Sequence, residues 1–410
     1  MSEREIEITT LGHRGDGVAE TETGTVYVAG ALPGEKVRAS VVDGRAKNPV
    51  ILEASPDRIE PVCRHYEACG GCSVQHLAEQ PYLAWKRGLV EKALSDRGIV
   101  AEVSESIAAT AGGRRRAVLT ATRAGRHTLL GYHEKASHRL VDVRECPVLD
   151  PGIVKALPGL KALAAEVMPK KGELRLTVLA TTAGLDVAID NADKNYDRKI
   201  PTLSQKVVEQ DLARLSVNGE VILEVRPPLL DMDGVGIVAA PGGFTQATVA
   251  AEEALSELVL KGVGKAKTVA DLFSGVGTFA LRLGRQANVH AVEGDAAALA
   301  AFDKALRKPQ GLKKVTFERR DLSRRPLVRE ELEPYEAVVF DPPRAGAQAQ
   351  AEQLAASKVK TVVAVSCNPA TLARDLRILI DGGYKLQSVT PVDQFHYSPH
   401  IEAVAVLTRQ

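Results

Sequence analysis

The sequence lacks any excess of charge: 53 Lys and Arg stand against 52 Asp and Glu, a formal net charge of +1 over 410 residues. That excludes a polycation coating nucleic acid along its whole length and confines any such footprint to a local stretch. It lacks a long apolar run, so no segment approaches the ~20 residues that cross a bilayer. The opening MSEREIEITT has no apolar core of the kind a secretory signal needs, which predicts a cytoplasmic chain. Cysteine is scarce, five residues in all. In a reducing compartment structural disulfides are disfavoured, so each thiol must be explained by burial, a metal or catalysis. Internal repeats and low-complexity tracts are absent too. What remains, 45% hydrophobic and 26% charged, is an ordinary globular composition, long enough for two or three domains.

Three segments differ in pattern. Residues 1–58 carry short alternating stretches, EIEITTL, TVYVAG, KVRASVV and PVILEA, broken by the turns GHRGDG and ALPGE. Short strands at close spacing predict a small β-barrel, and SPDRIEP reads as a linker. Residues 59–240 open with a helical pattern over 80–99, ended by Gly98, a helix that could also pack on the third segment. The strand-like runs AVLTATR, LRLTVLATT, LDVAI and EVILEV then predict a sheet-rich central domain. Within it, residues 111–144 hold Arg114, Arg115, Arg116, Arg123, Arg126, Lys135, Arg139 and Arg144 against Glu134 and Asp142 alone. This local charge of +6 fits an RNA-facing surface or a merely solvated one. In residues 241–410 a helical stretch precedes the apolar runs KTVADLF, NVHAVEG, KVTFERRDL, YEAVVFDPPR and KTVVAVSCNP, spaced by helical lengths. That alternation predicts an α/β fold: a parallel sheet with helices on both faces.

Parallel sheets bind ligands beyond the carboxyl ends of their strands. In DLFSGVGTFA, Gly275, Gly277 and Ala280 satisfy the dinucleotide pattern G-x-G-x-x-A, and Glu293 ends the next strand where it can accept bonds from ribose hydroxyls. Both features serve any adenosine-bearing cofactor, nicotinamide and flavin included. Two further acids discriminate. Asp271 opens the first loop, and Asp341 ends a later strand with Pro342 and Pro343 stiffening the turn. That is the layout of S-adenosylmethionine-dependent methyltransferases.

Cys367 follows the next strand, so it lies at the same edge. The strand body TVVAV supplies the core there, which leaves the thiol free for chemistry. Oxygen and nitrogen acceptors take a methyl group without covalent help; carbon 5 of a pyrimidine does not. A thiolate adding to carbon 6 makes carbon 5 nucleophilic, and a base must afterwards remove the carbon-5 proton. Glu402, at the entry to the last apolar strand, is the candidate base, against the bland reading of a solvated edge-strand glutamate.

Taken in order, DLFSGVGTFAL, DPPRAG, SCNPATLARD and DQFHYSPHIEAVAVL, with FTQ upstream at 244–246, resemble the RNA uracil carbon-5 methyltransferase family. The resemblance implies a Rossmann-like class I methyltransferase domain, Cys367 as nucleophile and Glu402 as base. It implies S-adenosylmethionine contacts at Gln246, Phe273, Thr278, Glu293, Asp321 and Asp341. The sequence departs from the family at Thr278, where Asn is frequent, at Asp321, where Asn or Asp stands, and at DQFHYSP, where DMFP is usual.

The remaining cysteines, Cys63, Cys69, Cys72 and the distant Cys146, suit zinc or an iron–sulfur cluster, three clustered and one remote favouring the cluster. The resemblance implies a [4Fe-4S] cluster with a structural or RNA-ordering role. The N-terminal barrel resembles the TRAM domain, an OB-like RNA-binding module. Barrel and cluster together resemble the family's 23S ribosomal RNA enzymes, with tRNA the alternative substrate. Two other readings stand beside it. One is an RNA methyltransferase acting on a base amino group, with Cys367 incidental; the other is a non-catalytic iron–sulfur RNA-binding protein.

Overall fold

The computed structural model describes residues 3–108, 111–307 and 311–409. Six strands between Arg4 and Glu53 make the first sheet. Alternation along them buries Ile6, Ile8, Ala19, Val26, Val28, Val37 and Ala39 against one another, the period of two that a half-buried strand requires. Backbone bonds from the Ile8 amide to Glu35 and from the Thr9 amide to Val18 tie the first strand to both of its flanks and curl the sheet. Seven strands between Arg116 and Glu224 form the second sheet, which shares its core with the helices Pro151–Val167 and Ile200–Glu209.

The helix Glu79–Ser95 does not join that second core. Gly98, at φ +65°, closes it with the Gly98 amide bonded to Ser95 and the Ile99 amide to Leu94, the paired bonds of a glycine-terminated helix. Val90, Leu94, Ile99 and Val103 pack instead with Leu272 and Phe340 of the third sheet and with Leu372 and Leu376 of the helix Pro369–Asp381. Bridges of Val103 to Val389 and Ile107 to Val392 continue that attachment.

The third sheet holds the strands Thr268–Leu272, Asn288–Glu293, Val315–Arg319, Ala337–Phe340, Thr361–Ser366, Lys385–Val392 and Glu402–Thr408. In space they lie in the order third, second, first, fourth, fifth, seventh, sixth. The first five are mutually parallel. Their apolar side chains alternate between two cores: Leu272, Val338 and Phe340 on one face, Val269, Val339 and Val363 on the other. Burial on both faces is why these strands read as continuous hydrophobic runs.

The seventh strand runs antiparallel to both neighbours, with Ala403 opposite Ser366 and Glu402 opposite Val392. Its reversed direction puts its first residue at the edge where the parallel strands end. Cys367 and Glu402, 35 residues apart in sequence, thereby reach one edge.

Candidate active site

The first strand runs into a loop whose backbone is bent three times into positive φ: Phe273 at +59°, Gly275 at +56° and Gly277 at +89°. A Cβ on Gly277 would lie 2.3 Å from the Phe302 ring, so packing as well as φ demands glycine there. A Cβ on Gly275 would meet nothing within 4 Å, so this backbone borders open space at the sheet edge. Thr278 begins the short helix Thr278–Leu283 directly after the loop. Glu293 Oε2 accepts from the Gly275 amide at 2.9 Å, while Oε1 accepts from Gly294 at 2.6 Å and Asp295 at 2.7 Å. The acid at the second strand's end thus fixes the glycine loop. Asp321, after the third strand, is exposed and accepts from the Ser323 amide at 3.0 Å. Next to it a cavity of about 360 Å³ is lined by Phe273, Leu322, Ser323, Gly346 and Arg374.

Asp271 is wholly buried, and neither carboxylate oxygen has a hydrogen-bond partner of good geometry, although the Ala280 amide lies close enough to favour the ionised form. Burial, then the charge of Asp341, pushes its carboxyl well above the ordinary range. Asp341 is raised as well, by burial, with the Gln246 amide opposing. An unpartnered buried acid beside a second acid is unfavourable unless something cationic completes the site.

Gln246 is nearly buried and donates to Asp341 Oδ2 at 3.2 Å. Gln394, also buried, donates to Gln246 Oε1 at 2.9 Å and to Glu402 Oε1 at 2.8 Å. Two side-chain amides therefore link the acid at the fourth strand's end to the acid at the seventh strand's start. Glu402 is 4% exposed, which removes the solvated edge-strand reading. Burial, then Asp341, raises its carboxyl, with Gln394 and Arg344 opposing.

Cys367 is half-buried at the end of Thr361–Ser366, and the residues around it explain the Ser-Cys-Asn-Pro motif. Asn368 caps the helix Pro369–Asp381 by accepting from the Ala370 amide, and Pro369 takes the first helical position, where a missing N–H costs nothing. The Asn368 amide and the Thr371 hydroxyl both donate to the Arg344 carbonyl, binding the cysteine turn to the Asp-Pro-Pro-Arg turn. Burial, then the charges of Glu402 and Asp341, pushes the Cys367 thiol up to about 11.

Cys63, Cys69, Cys72 and Cys146 line one cavity of about 330 Å³. The Gly70 amide bonds to His133 and the Lys135 amide to Ala68, seating the 63–72 loop on the hairpin whose continuation carries Cys146. Each thiol is raised, by burial first; Cys72 reaches about 12. Among the described residues no three His, Cys, Asp or Glu side chains form a group that could hold a metal ion. The cavity wall also includes Arg344 and His400, so it adjoins the turn beside the sheet edge that carries Cys367 and Glu402.

The arginine triplet departs from both readings of residues 111–144, an RNA-facing surface and a solvated one. Arg115 is buried, its guanidinium paired with Glu252 and bonded to the Gln246 carbonyl. Arg116 donates to the carbonyls of Gly242 and Gly243, and Arg114 lies 5.5 Å over the Phe395 ring. The triplet anchors the segment that carries Gln246. Sequence reasoning missed Gln394, visible only as a departure from DMFP. It also missed Lys86, which donates to Asp393 at 3.0 Å with both side chains fully buried. Its signal was a lysine at four-residue spacing from Tyr82 and Val90 on a buried helix stripe.

Comparison with known proteins follows the same outline. A family model described as tRNA (Uracil-5-)-methyltransferase matches residues 239–410, and a TRAM domain model matches residues 1–48. The chain is 51% identical to an uncharacterized RNA methyltransferase of Brucella suis biovar 1, over 99% of this chain and 98% of that one. It is 33% identical to the 23S rRNA (uracil(1939)-C(5))-methyltransferase RlmD of Halomonas elongata, over 98% and 89%. The crystal structure of Pyrococcus abyssi tRNA (uracil-54, C5)-methyltransferase in complex with S-adenosyl-L-homocysteine matches with a TM-score of 0.77 at 25% identity, covering 98% of this chain and 99% of that one. The third sheet is thus a class I methyltransferase sheet and the first belongs to a TRAM domain, and with a third of its residues shared across nearly all its length, the chain belongs to the RNA uracil carbon-5 methyltransferase family.

Proposed function

We propose that this chain methylates carbon 5 of a uridine in 23S ribosomal RNA, with Cys367 as nucleophile, Glu402 as base and S-adenosylmethionine as donor. The observation that carries the reading is the meeting of Cys367 and Glu402 at one sheet edge, brought about by the reversed seventh strand. A base-amino methyltransferase has no use for that pair, and a non-catalytic RNA-binding protein has no reason to bury Glu402 among other acids. The ribosomal substrate rests on the kinship with the Halomonas enzyme; a tRNA uridine is the alternative, given the Pyrococcus likeness.

The crevice fits a cationic, adenosine-bearing cofactor. Asp271 offers two unpartnered buried oxygens, Gly275 leaves backbone beside open space, and Glu293 and Asp321 stand at consecutive strand ends. Gln246, Phe273, Thr278 and Asp341 complete the set that would hold it. When bound, S-adenosylmethionine supplies an electrophilic methyl group on a sulfonium.

The chain's own residues do the rest. Cys367, its proton released to solvent as the thiolate forms, bonds through Sγ to carbon 6 and sends the ring's electron pair toward carbon 5. Carbon 5 takes the methyl group, while the electrons of the broken carbon–sulfur bond stay with the donor. Glu402 then takes the proton from carbon 5, the ring double bond re-forms, and the Cys367 sulfur leaves with its electron pair. The same burial that raises Glu402 makes it an adequate base near neutral pH.

The four remaining cysteines fit a [4Fe-4S] cluster better than one zinc ion. The ground is their spacing along the chain, three clustered and one remote, where structural zinc usually takes its ligands in two close pairs. All four line one cavity. The cluster would order the wall beside Arg344 rather than enter the methyl transfer. Thiols free to ligate iron suit a reducing cytoplasm.

Nucleoside analysis of 23S RNA and tRNA from cells with and without the gene tests the reading. Loss of 5-methyluridine from 23S RNA alone is expected. Loss from tRNA instead would replace the substrate, and loss of an N-methylated base would overturn the mechanism.

A further inference from the structure

We propose that Gln394 is a positioning residue for the base: its side-chain amide holds the Glu402 carboxylate in place and couples it to Gln246. The inference rests on the reading of Glu402 as proton acceptor. Gln394 is 2% exposed, and both its amide nitrogen and its amide oxygen are engaged. Its amide nitrogen donates to Glu402 Oε1 at 2.8 Å and to Gln246 Oε1 at 2.9 Å, while its oxygen accepts from the Ala247 amide at 2.9 Å. The orientation cannot be reversed. A flipped amide would set its oxygen against two acceptors and its N–H groups against the Ala247 N–H.

The donation matters because of what else faces Glu402. Asp341, after the fourth strand, opposes its ionisation; Arg344, in the next turn, favours it. The Cys367 thiol, after the fifth strand, titrates against it. Across the hairpin stands apolar Val392. Among the described residues Gln394 makes the one hydrogen bond to this carboxylate. A bond to an ionised acceptor is stronger than to a neutral one, so removing the donor penalises the ionised base selectively.

Two variants separate this role from simple support of the 244–248 segment. Gln394→Glu keeps the volume and the acceptor for the Ala247 N–H, loses the donor, and sets a second carboxyl against Glu402, so the pair retains a shared proton to higher pH. Gln394→Met removes both functions. The experiment follows single turnover on a 23S RNA transcript across pH, measuring decay of the methylated covalent complex. A parallel reaction with 5-fluorouridine transcript measures adduct formation alone. For both variants decay at pH 7 should slow about tenfold, with its pH midpoint moved up by about one unit. Adduct formation should stay within about twofold of wild type, since the thiol acts before the base does. Should Gln394→Met fail to fold, as its melting curve would show, Gln394→Glu decides alone. An unmoved midpoint in Gln394→Glu, or adduct formation lost in step with decay, overturns the proposal and leaves Gln394 a support for Ala247. A wild-type enzyme forming no 5-fluorouridine adduct would instead remove the underlying mechanism, and this role with it.

Discussion

In the proposed reaction Cys367 sits under two opposing demands: it attacks as a thiolate, yet its surroundings resist one. Burial and the neighbouring acids lift the thiol to about 11, so at neutral pH it carries its proton in the resting protein. Positive charge entering the pocket favours the ionised forms of Cys367, Glu402 and Asp341 alike. Site-resolved alkylation by iodoacetamide should therefore be slow at Cys367 at pH 7, rise steeply toward pH 11, and quicken in the presence of the positively charged donor but not of its uncharged demethylated product. Equal reactivity with either ligand would mean charge is not what activates the thiol. Cys367→Ala should abolish both methylation and the 5-fluorouridine adduct; an adduct persisting in that variant would mean another nucleophile acts. Glu402→Gln should leave addition and methyl transfer intact and block the last step. A methylated covalent complex should then accumulate with ordinary RNA, visible after denaturation, and turnover should fall ~100-fold or more. Normal turnover would take Glu402 out of the reaction. Both residues were singled out from the sequence by their places at strand ends, and the structure brings them to one edge of the third sheet. Gln394 was not singled out, since a glutamine between an aspartate and a phenylalanine has many uses until three partners fix its amide.

At the scale of elements, the helix Glu79–Ser95 bolts the loop 393–400, which leads into Glu402, to the sheet. Lys86 and the Tyr82 hydroxyl both reach Asp393, and Lys86 also donates to the Phe395 and His400 carbonyls. Against its burial, which raises it, Asp393 is held below the ordinary carboxylate range by His396, Lys86 and Tyr82. A lowered carboxyl stabilises the fold above its unfolded-state value and loses that contribution as pH falls through the folded one. Lys86→Met should cost about 3–5 kcal/mol in urea denaturation, because it strands a buried charge. Adding Asp393→Asn should recover part of the loss; a double variant no better than the single would show that the pair is not coupled. The sequence announced this helix and its glycine stop by spacing alone. Its allegiance to the third sheet was harder to read, because an apolar stripe states that a face is buried and not against what. The arginine triplet carries the same lesson: charge in a string does not say which guanidiniums will find Glu252 or a carbonyl.

For the whole molecule, the three larger sheets were anticipated by strand spacing and turn residues, and the grouping of Cys63, Cys69, Cys72 and Cys146, which line one cavity, by their number and spacing. The order of the strands was not, since nothing local in Glu402–Thr408 says that it inserts between two strands laid down before it. Protein purified without oxygen should be brown and contain about four irons per chain, as a cysteine-held cluster of this class does. Cys146→Ala should bleach it. Colourless protein with one zinc per chain would overturn the cluster. The insertion of the last strand has a consequence for biosynthesis. A ribosome releases residues 402–408 after every other strand of the sheet, so the fifth and sixth strands must wait with a gap between them. The inserting strand and the proposed proton acceptor arrive in the same heptapeptide. On the proposed mechanism, a nascent or prematurely terminated chain presents a thiol at the sheet edge but lacks both the base for the last step and the strand that finishes the sheet.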